Sequence, residues 1–317
     1  MSGIRPRYAP EVAAALASGA PVVALESTLV AHGLPRPDNL RVARQVEQVV
    51  RQEGAVPATI GMIGGELVVG LDDAELAHLA SAPEVRKLSI RDLALAAAAG
   101  VDGATTVAGT SAVAAAAGIA VFATGGLGGV HRDAPLDESA DLTTLARTPI
   151  AVVCAGVKSI LDIGATLERL ETLGVAVAGY RTTAFPGFYV SDSGFRVDWS
   201  FDSPQQVARA LHARRAQQVH PGAIVVANPV PPEAQLDPEL HDRVLADGLA
   251  RMRAEQVTGK AVTPYLLSHF HTATAGASLE VNIRIIVNNA ELAGRVAVGY
   301  AAHPAETSRT DTWVGAG

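Results

Sequence analysis

The stretch IAVVCAGVKSILDIGATLERLE, residues 150–171, decides the fold. Ile150 to Cys154 is an uninterrupted apolar run, the pattern of a strand covered on both faces. Ala155-Gly156 reads as a tight exit. From Ser159 onward Ile160, Ile163 and Leu167 recur at helical spacing, so an amphipathic helix is expected there. A buried strand handing over to a helix is the repeating unit of an α/β protein. It also sets Lys158 at the junction. The unpaired N–H groups of a helix start disfavour a second positive charge beside them, which favours the neutral amine that can form a Schiff base.

The same pattern recurs outward from this unit. PVVALEST (21–28), IAVFAT (119–124), VAVAGY (175–180) and GAIVVANPV (222–230) read as buried strands with helical patterns between them. PATIGMIGGELVVGL (57–71) divides around Gly64-Gly65 as a hairpin. No linker, composition break or fixed-period repeat interrupts the alternation. The expectation is one three-layer α/β/α catalytic domain spanning 1–317, with a central mostly parallel or mixed sheet. Its ordered core covers about 10–305, followed by a C-terminal tail at 306–317.

Composition narrows the function. With 317 residues, 49% of them hydrophobic, the chain can bury a large core. Its one cysteine, Cys154, excludes an internal disulfide and any cysteine-based zinc cluster, and reads as a small core residue. A net charge of -7, no basic run beyond Arg214-Arg215 and only 4% aromatic residues argue against a nucleic-acid polymer as partner. The longest apolar stretch, 112–123, is too short to span a bilayer and the N-terminus has no apolar signal core. A cytoplasmic protein with no membrane partner is expected.

Three lysines, Lys87, Lys158 and Lys260, stand among 25 basic residues, the other 22 (25 minus 3) being arginines. Arginine supplies a plain positive charge but cannot make a Schiff base, so the lysines are candidates for work that needs an amine. Glu26 emerges at the end of a buried strand, where ligands gather in open α/β sheets, and is a candidate acid or base. Taken alone, a capping or ion-pairing role is its plainer reading, and Ser27 and Thr28 share the ambiguity. Lys87 opens a short strand at 87–90; a rim charge is its plainer reading. Thr110-Ser111 is expected to begin an alanine-rich helix whose donors suit a phosphate.

The densest polar constellation follows the strand at 119–124. Gly125-Gly126-Leu127-Gly128-Gly129 would allow close approach to a ligand, and His131, Arg132, Asp133, Asp137, Glu138 and Asp141 come within eleven residues in a long loop. The glycine spacing is not the dinucleotide fingerprint and AGVKS is not a P-loop, so NAD and ATP are disfavoured. Oxygen ligands such as Asp137 suit Mg2+ or Mn2+ better than zinc, while a solvated acidic loop is the alternative. Phe185, Phe188 and Tyr189 form the one aromatic cluster, suited to cover a planar base or to pack a core. Asn282, Asn288 and Asn289 hint at a polar helix face able to read an amide-like heterocycle.

The segments VALESTLVAHGLPRPDN, GAVPATIGMIGG, DGATTVAGT, VFATGGLGGVHR, ESADL, VVCAGVKSILDIG, FPGFY, VVANPVP, GKAVTPYLL and LEVNI, in this order, make the chain resemble the pseudouridine-5'-phosphate glycosidases. The resemblance implies reversible cleavage of the carbon–carbon glycosidic bond of pseudouridine 5'-phosphate to uracil and D-ribose 5-phosphate. A divalent metal, Mn2+, one per subunit, and a homotrimer come with it. It makes Lys158 the covalent nucleophile and Glu26 the proton donor. Lys87 and Val107 become substrate contacts, Ser139, Ala140 and Asp141 sugar-phosphate contacts, and Asp137 the metal ligand. The chemistry agrees: a C-glycosidic bond has no heteroatom leaving group to protonate, so two-carboxylate glycoside hydrolysis fits poorly and a lysine-linked sugar fits well. A C-glycosynthase joining ribose 5-phosphate to an aromatic acceptor is the nearer alternative. A non-catalytic sugar-phosphate sensor, which needs neither nucleophile nor acid, is the more distant one.

Overall fold

The computed structural model describes residues 6–132 and 134–303. Among these, eleven strands form one sheet. Its main path runs Arg7–Tyr8, Glu66–Val69, Val56–Ile63, Val22–Glu26, Val121–Ala123, Ala151–Cys154, Ile224–Ala227, Ala176–Tyr180, Trp199–Phe201. Within it only Val56–Ile63 makes antiparallel pairs, with Glu66–Val69 and with Gly103–Thr105. The expected single α/β domain with a mostly parallel sheet is what the chain forms.

The central strands are continuous apolar runs because both faces are covered. On one face Ala24, Ile60, Val152, Cys154 and Val225 pack with Val113, Leu142 and Leu170. These last come from the helices Val107–Ala116, Ala140–Leu145 and Ile163–Thr172. On the other, Leu25, Val121, Val153 and Val226 meet Val46, Leu211 and Ala293. These belong to Asp38–Gln52, Pro204–Gln217 and Ala277–Ala301. Each fully buried valine or leucine contributes about 1.5–3 kcal/mol. A third cluster joins Val157, Ile160, Leu161, Phe185, Phe188 and Tyr189 to Met252, Leu266 and Phe270 of the helices Pro238–Ala254 and Val262–Ala273.

Three local expectations change. The helix after Lys158 begins at Ile163, with Asp162 as its cap accepting the Ala165 N–H at 2.9 Å. Before it, the Lys158 N–H bonds to Leu127 O at 3.1 Å, and Ile160 and Leu161 are buried without being helical. Ile163 and Leu167 lie on that helix, while Ile160 packs in the third cluster ahead of it. Lys158 therefore lies four residues before the cap of the helix and not at its first turn, where a helix-end field acts. The alanine-rich helix starts at Val107, capped by Thr106, not at Thr110. The glycine-and-acid loop contains a hairpin, Val130–His131 paired with Ala134–Glu138. Among the described residues no helix is long and apolar enough to cross a membrane.

Candidate active site

A cleft of about 540 Å³ is lined by the eight residues to which the family resemblance gives a role: Glu26, Lys87, Val107, Asp137, Ser139, Ala140, Asp141 and Lys158. Glu26 is the last residue of its strand and pairs with Ile60. Beyond that point the neighbouring strand takes a new partner, Gly61 and Met62 pairing with Ala104 and Gly103. Across the sheet, chain order falls from Glu66–Val69 through Val56–Ile63 to Val22–Glu26 and rises from Val121–Ala123 through Ala151–Cys154, so Glu26 emerges beside the point of reversal, the position at which open α/β sheets hold ligands. Its carboxyl group is held between the hydroxyls of Thr28 and Thr124. Lys158 follows the Ala151–Cys154 strand, half-buried.

Lys87 stands exposed on Arg86–Leu88, which pairs with Gly103–Thr105. His32 also lines the cleft; partial desolvation and then the Lys87 charge hold its imidazole below the usual histidine range. Asp141 is 5% exposed and serves the architecture directly. Its Oδ1 accepts the Ala108 N–H at 3.0 Å and its Oδ2 the Gly128 N–H at 2.8 Å. One carboxylate thus ties the first turn of the Val107 helix to the glycine loop. Ser139 caps the Ala140–Leu145 helix, its Oγ accepting the Asp141 N–H at 3.2 Å.

The glycines serve packing before any ligand. A Cβ on Gly126 would lie 2.6 Å from Phe188 Cδ2, and one on Gly128 2.8 Å from Asp141 Oδ2. Phe188, with its backbone in the left-handed region at φ 65°, packs in the third cluster with Phe185 and Tyr189 and is the one of the three that also lines the cleft. The asparagines divide likewise. Asn282 lines the cleft, Asn289 donates to Thr124 O at 2.7 Å, and Asn288 to Pro229 O at 3.3 Å. Only one of the three is placed to read a ligand.

Asp137 is exposed on the hairpin, and its neighbour Glu138 is paired with Arg169 at 3.0 Å. No group of three or more His, Cys, Asp or Glu able to hold a metal occurs among the described residues. A lone carboxylate at a cleft rim fits Mg2+ or Mn2+, which keep waters and take substrate oxygens, better than a metal that needs an all-protein cage. Asp133, the Lys260 side chain and the tail at 306–317 lie outside the described residues.

Thr28 and Thr124 are the residues sequence reasoning left without a role. Thr28 had been noted as ambiguous beside Glu26. Thr124 follows a parallel buried strand adjacent to that of Glu26, and this shared exit was the available clue.

Residues 11–299 match the family model described as indigoidine synthase A like protein. The chain belongs to that family. It is 71% identical over 301 residues to the pseudouridine-5'-phosphate glycosidase of Salinispora tropica, covering 94% of this chain and 93% of the relative. Identity to the enzyme of that name from Streptomyces griseus is 58% over 298 residues, 93% of this chain and 92% of the relative. Among solved structures, the prealnumycin C-glycosynthase AlnA in complex with ribulose 5-phosphate superposes with a TM-score of 0.86 at 39% identity, covering 93% of this chain and 97% of its own. An indigoidine synthase A-like protein from Thermotoga maritima gives 0.85 at 33% identity, covering 94% and 97%.

Proposed function

We propose that this chain is a pseudouridine-5'-phosphate glycosidase, cleaving the C-glycosidic bond reversibly to uracil and D-ribose 5-phosphate through a covalent link to Lys158. The observation that carries this is the meeting of Lys158, Glu26 and Lys87 in one cleft of a chain 71% identical to an enzyme of that name.

The bond to be broken joins two carbons, so the base must leave as a carbon that takes up a proton. Glu26 protonates the ring oxygen as it leaves C1′ and the Lys158 amine bonds there. Glu26 then recovers a proton from the lysine nitrogen and delivers it to C5 of uracil, while the nitrogen lone pair expels the base and leaves a C1′=N iminium. Water releases ribose 5-phosphate and returns the amine. Lys87 and the N-terminus of the Val107 helix, with Ser139 and Ala140, hold the sugar phosphate. Asp141, with both oxygens engaged by backbone N–H groups, shapes that subsite. Asp137, with water and substrate oxygens, would hold the divalent cation, Mn2+, whose charge would offset the anionic substrate. One cation per subunit, a homotrimer and a cytoplasmic location belong to the same reading.

The likeness to AlnA supports a second reading, in which ribose 5-phosphate is joined to an aromatic acceptor. Asn282 on the cleft favours the first, since a uracil edge needs an amide partner and an aromatic ring does not. Incubation with ribose 5-phosphate, uracil and Mn2+ is expected to form pseudouridine 5'-phosphate. Product with an aromatic acceptor and none with uracil would overturn the first reading.

A further inference from the structure

The hydroxyl groups behind Glu26 can be resolved by counting protons, because each serine or threonine hydroxyl has one to give and two lone pairs to receive. Ser27 Oγ donates to Ile60 O at 2.6 Å and accepts the Thr105 N–H at 2.9 Å. Thr105 Oγ1 donates to the same carbonyl at 2.7 Å, so Thr110 is the donor in the Thr105–Thr110 hydroxyl pair at 2.8 Å. Thr124 Oγ1 donates to Glu26 Oε1. Every one of these protons is committed. Thr28 is different: its Oγ1, in a side chain only 7% exposed by residue, faces both Glu26 Oε2 and, at 3.1 Å, Thr105 O. One proton cannot satisfy two acceptors.

We infer that Thr28 is a positioning residue that follows the protonation state of Glu26, reversing its hydrogen bond as the carboxyl gains or loses its proton. With Glu26 ionised, Thr28 donates to Oε2. With Glu26 protonated on Oε2, the carboxyl donates to Thr28, whose own proton turns to Thr105 O. The Thr110 proton, already given to Thr105 Oγ1, offers Thr105 O only a long 3.4 Å approach, so that carbonyl has room for it. With Glu26 ionised, Thr105 O keeps only the long Thr110 approach; with Glu26 protonated it gains the Thr28 proton, and the carboxyl stays in place through both. Thr124 occupies Oε1 throughout, which assigns the labile proton to Oε2. An acid that releases and recovers its proton twice in one turnover needs such a partner.

The inference rests on Glu26 being the proton donor, and the test separates the two. Replacing Thr28→Val removes the hydroxyl at nearly constant shape; Thr28→Ser keeps it. In Thr28→Val, kcat is expected to fall about tenfold to a hundredfold, the usual cost of losing a hydrogen bond to a charged group. KM, the melting temperature and borohydride trapping of ribose 5-phosphate on Lys158 should stay near wild type, and Thr28→Ser should recover most of kcat. Wild-type kcat in Thr28→Val overturns the inference. So does a loss of kcat that follows melting temperature and trapping and is not rescued by serine. If Glu26→Gln turns over at the wild-type rate, the proton-donor reading itself fails; if it is inactive while Thr28→Val is unimpaired, only the role of Thr28 fails.

Discussion

On one wall of the cleft Glu26 and Lys158 end or follow parallel strands whose residues are almost wholly buried, and Thr124, which backs Glu26, is 3% exposed. On another wall Asp137 stands on a short hairpin beside Leu136, which is 99% exposed. The first wall is fixed by ladder hydrogen bonds and by packing on both faces of the sheet. The second is tied down by the Ser139 N–H on Gly129 O at 3.0 Å and by the Glu138–Arg169 pair. The division matches the demands of the proposed reaction. Bond making at C1′ needs reacting atoms held in near-attack geometry, whereas a water-bearing cation held partly by substrate tolerates a looser support.

Changes on the strand-end wall should therefore cost most. Lys158→Ala is expected to lower turnover about 10⁴-fold or more, as loss of a covalent nucleophile does elsewhere. Borohydride in the presence of ribose 5-phosphate should then attach no sugar. An adduct on another residue, with activity retained, would move the covalent chemistry off this wall.

Asp141→Asn tests the joint between the walls. The amide keeps one acceptor oxygen, and its NH₂ group would face the N–H of either Ala108 or Gly128. Leaving a buried donor unpaired costs about 1–3 kcal/mol. For a domain of this size that corresponds to a melting temperature lower by roughly 2–4 °C. Calorimetry giving an unchanged transition would show that the two loops hold together without this carboxylate.

The strand-end wall was also the legible one. VVALE, VFA, AVVC and IVVA announce buried parallel strands by composition alone, and Gly64-Gly65 announces its hairpin. Cys154 was expected in the core and is wholly buried, its thiol pushed up to about 12 by burial. The hairpin wall was read as a loop because VHRDAPLDE carries proline and clustered charge, which disfavour strands locally. Its pairing is made with tertiary help, the Asp162 N–H bonding to Val130 O at 2.9 Å. The helix expected from Ser159 forms from Ile163 for a related reason: Ile160 is buried in the same third cluster as Ile163, and periodicity cannot distinguish that burial from a helix face. Asn288 and Asn289 were legible as polar positions, yet only coordinates reveal that their amides donate to backbone carbonyls and that Asn289 Oδ1 accepts from Asn228.

Changes on the hairpin should be milder. Asp137→Asn is expected to raise the Mn2+ concentration needed for half-maximal rate by about 10–100-fold, the range seen when supporting carboxylates of metal sites are lost. Saturating metal should restore most of kcat, and the melting temperature should not move. A loss of kcat that excess metal cannot repair would give Asp137 a part in the chemistry itself.

Arg169→Ala is the smallest and most discriminating change. The pair it breaks is partly exposed, with side chains 38% and 26% accessible, so water and salt screen it and it contributes under about 1 kcal/mol. If the hairpin only presents an oxygen ligand, titration with Mn2+ should show a shift of less than about fivefold, which corresponds to that energy. The shift should shrink further in high salt. An effect as large as that of Asp137→Asn would mean that the hairpin must be held as closely as the strand ends, and the contrast between the two walls would not survive it.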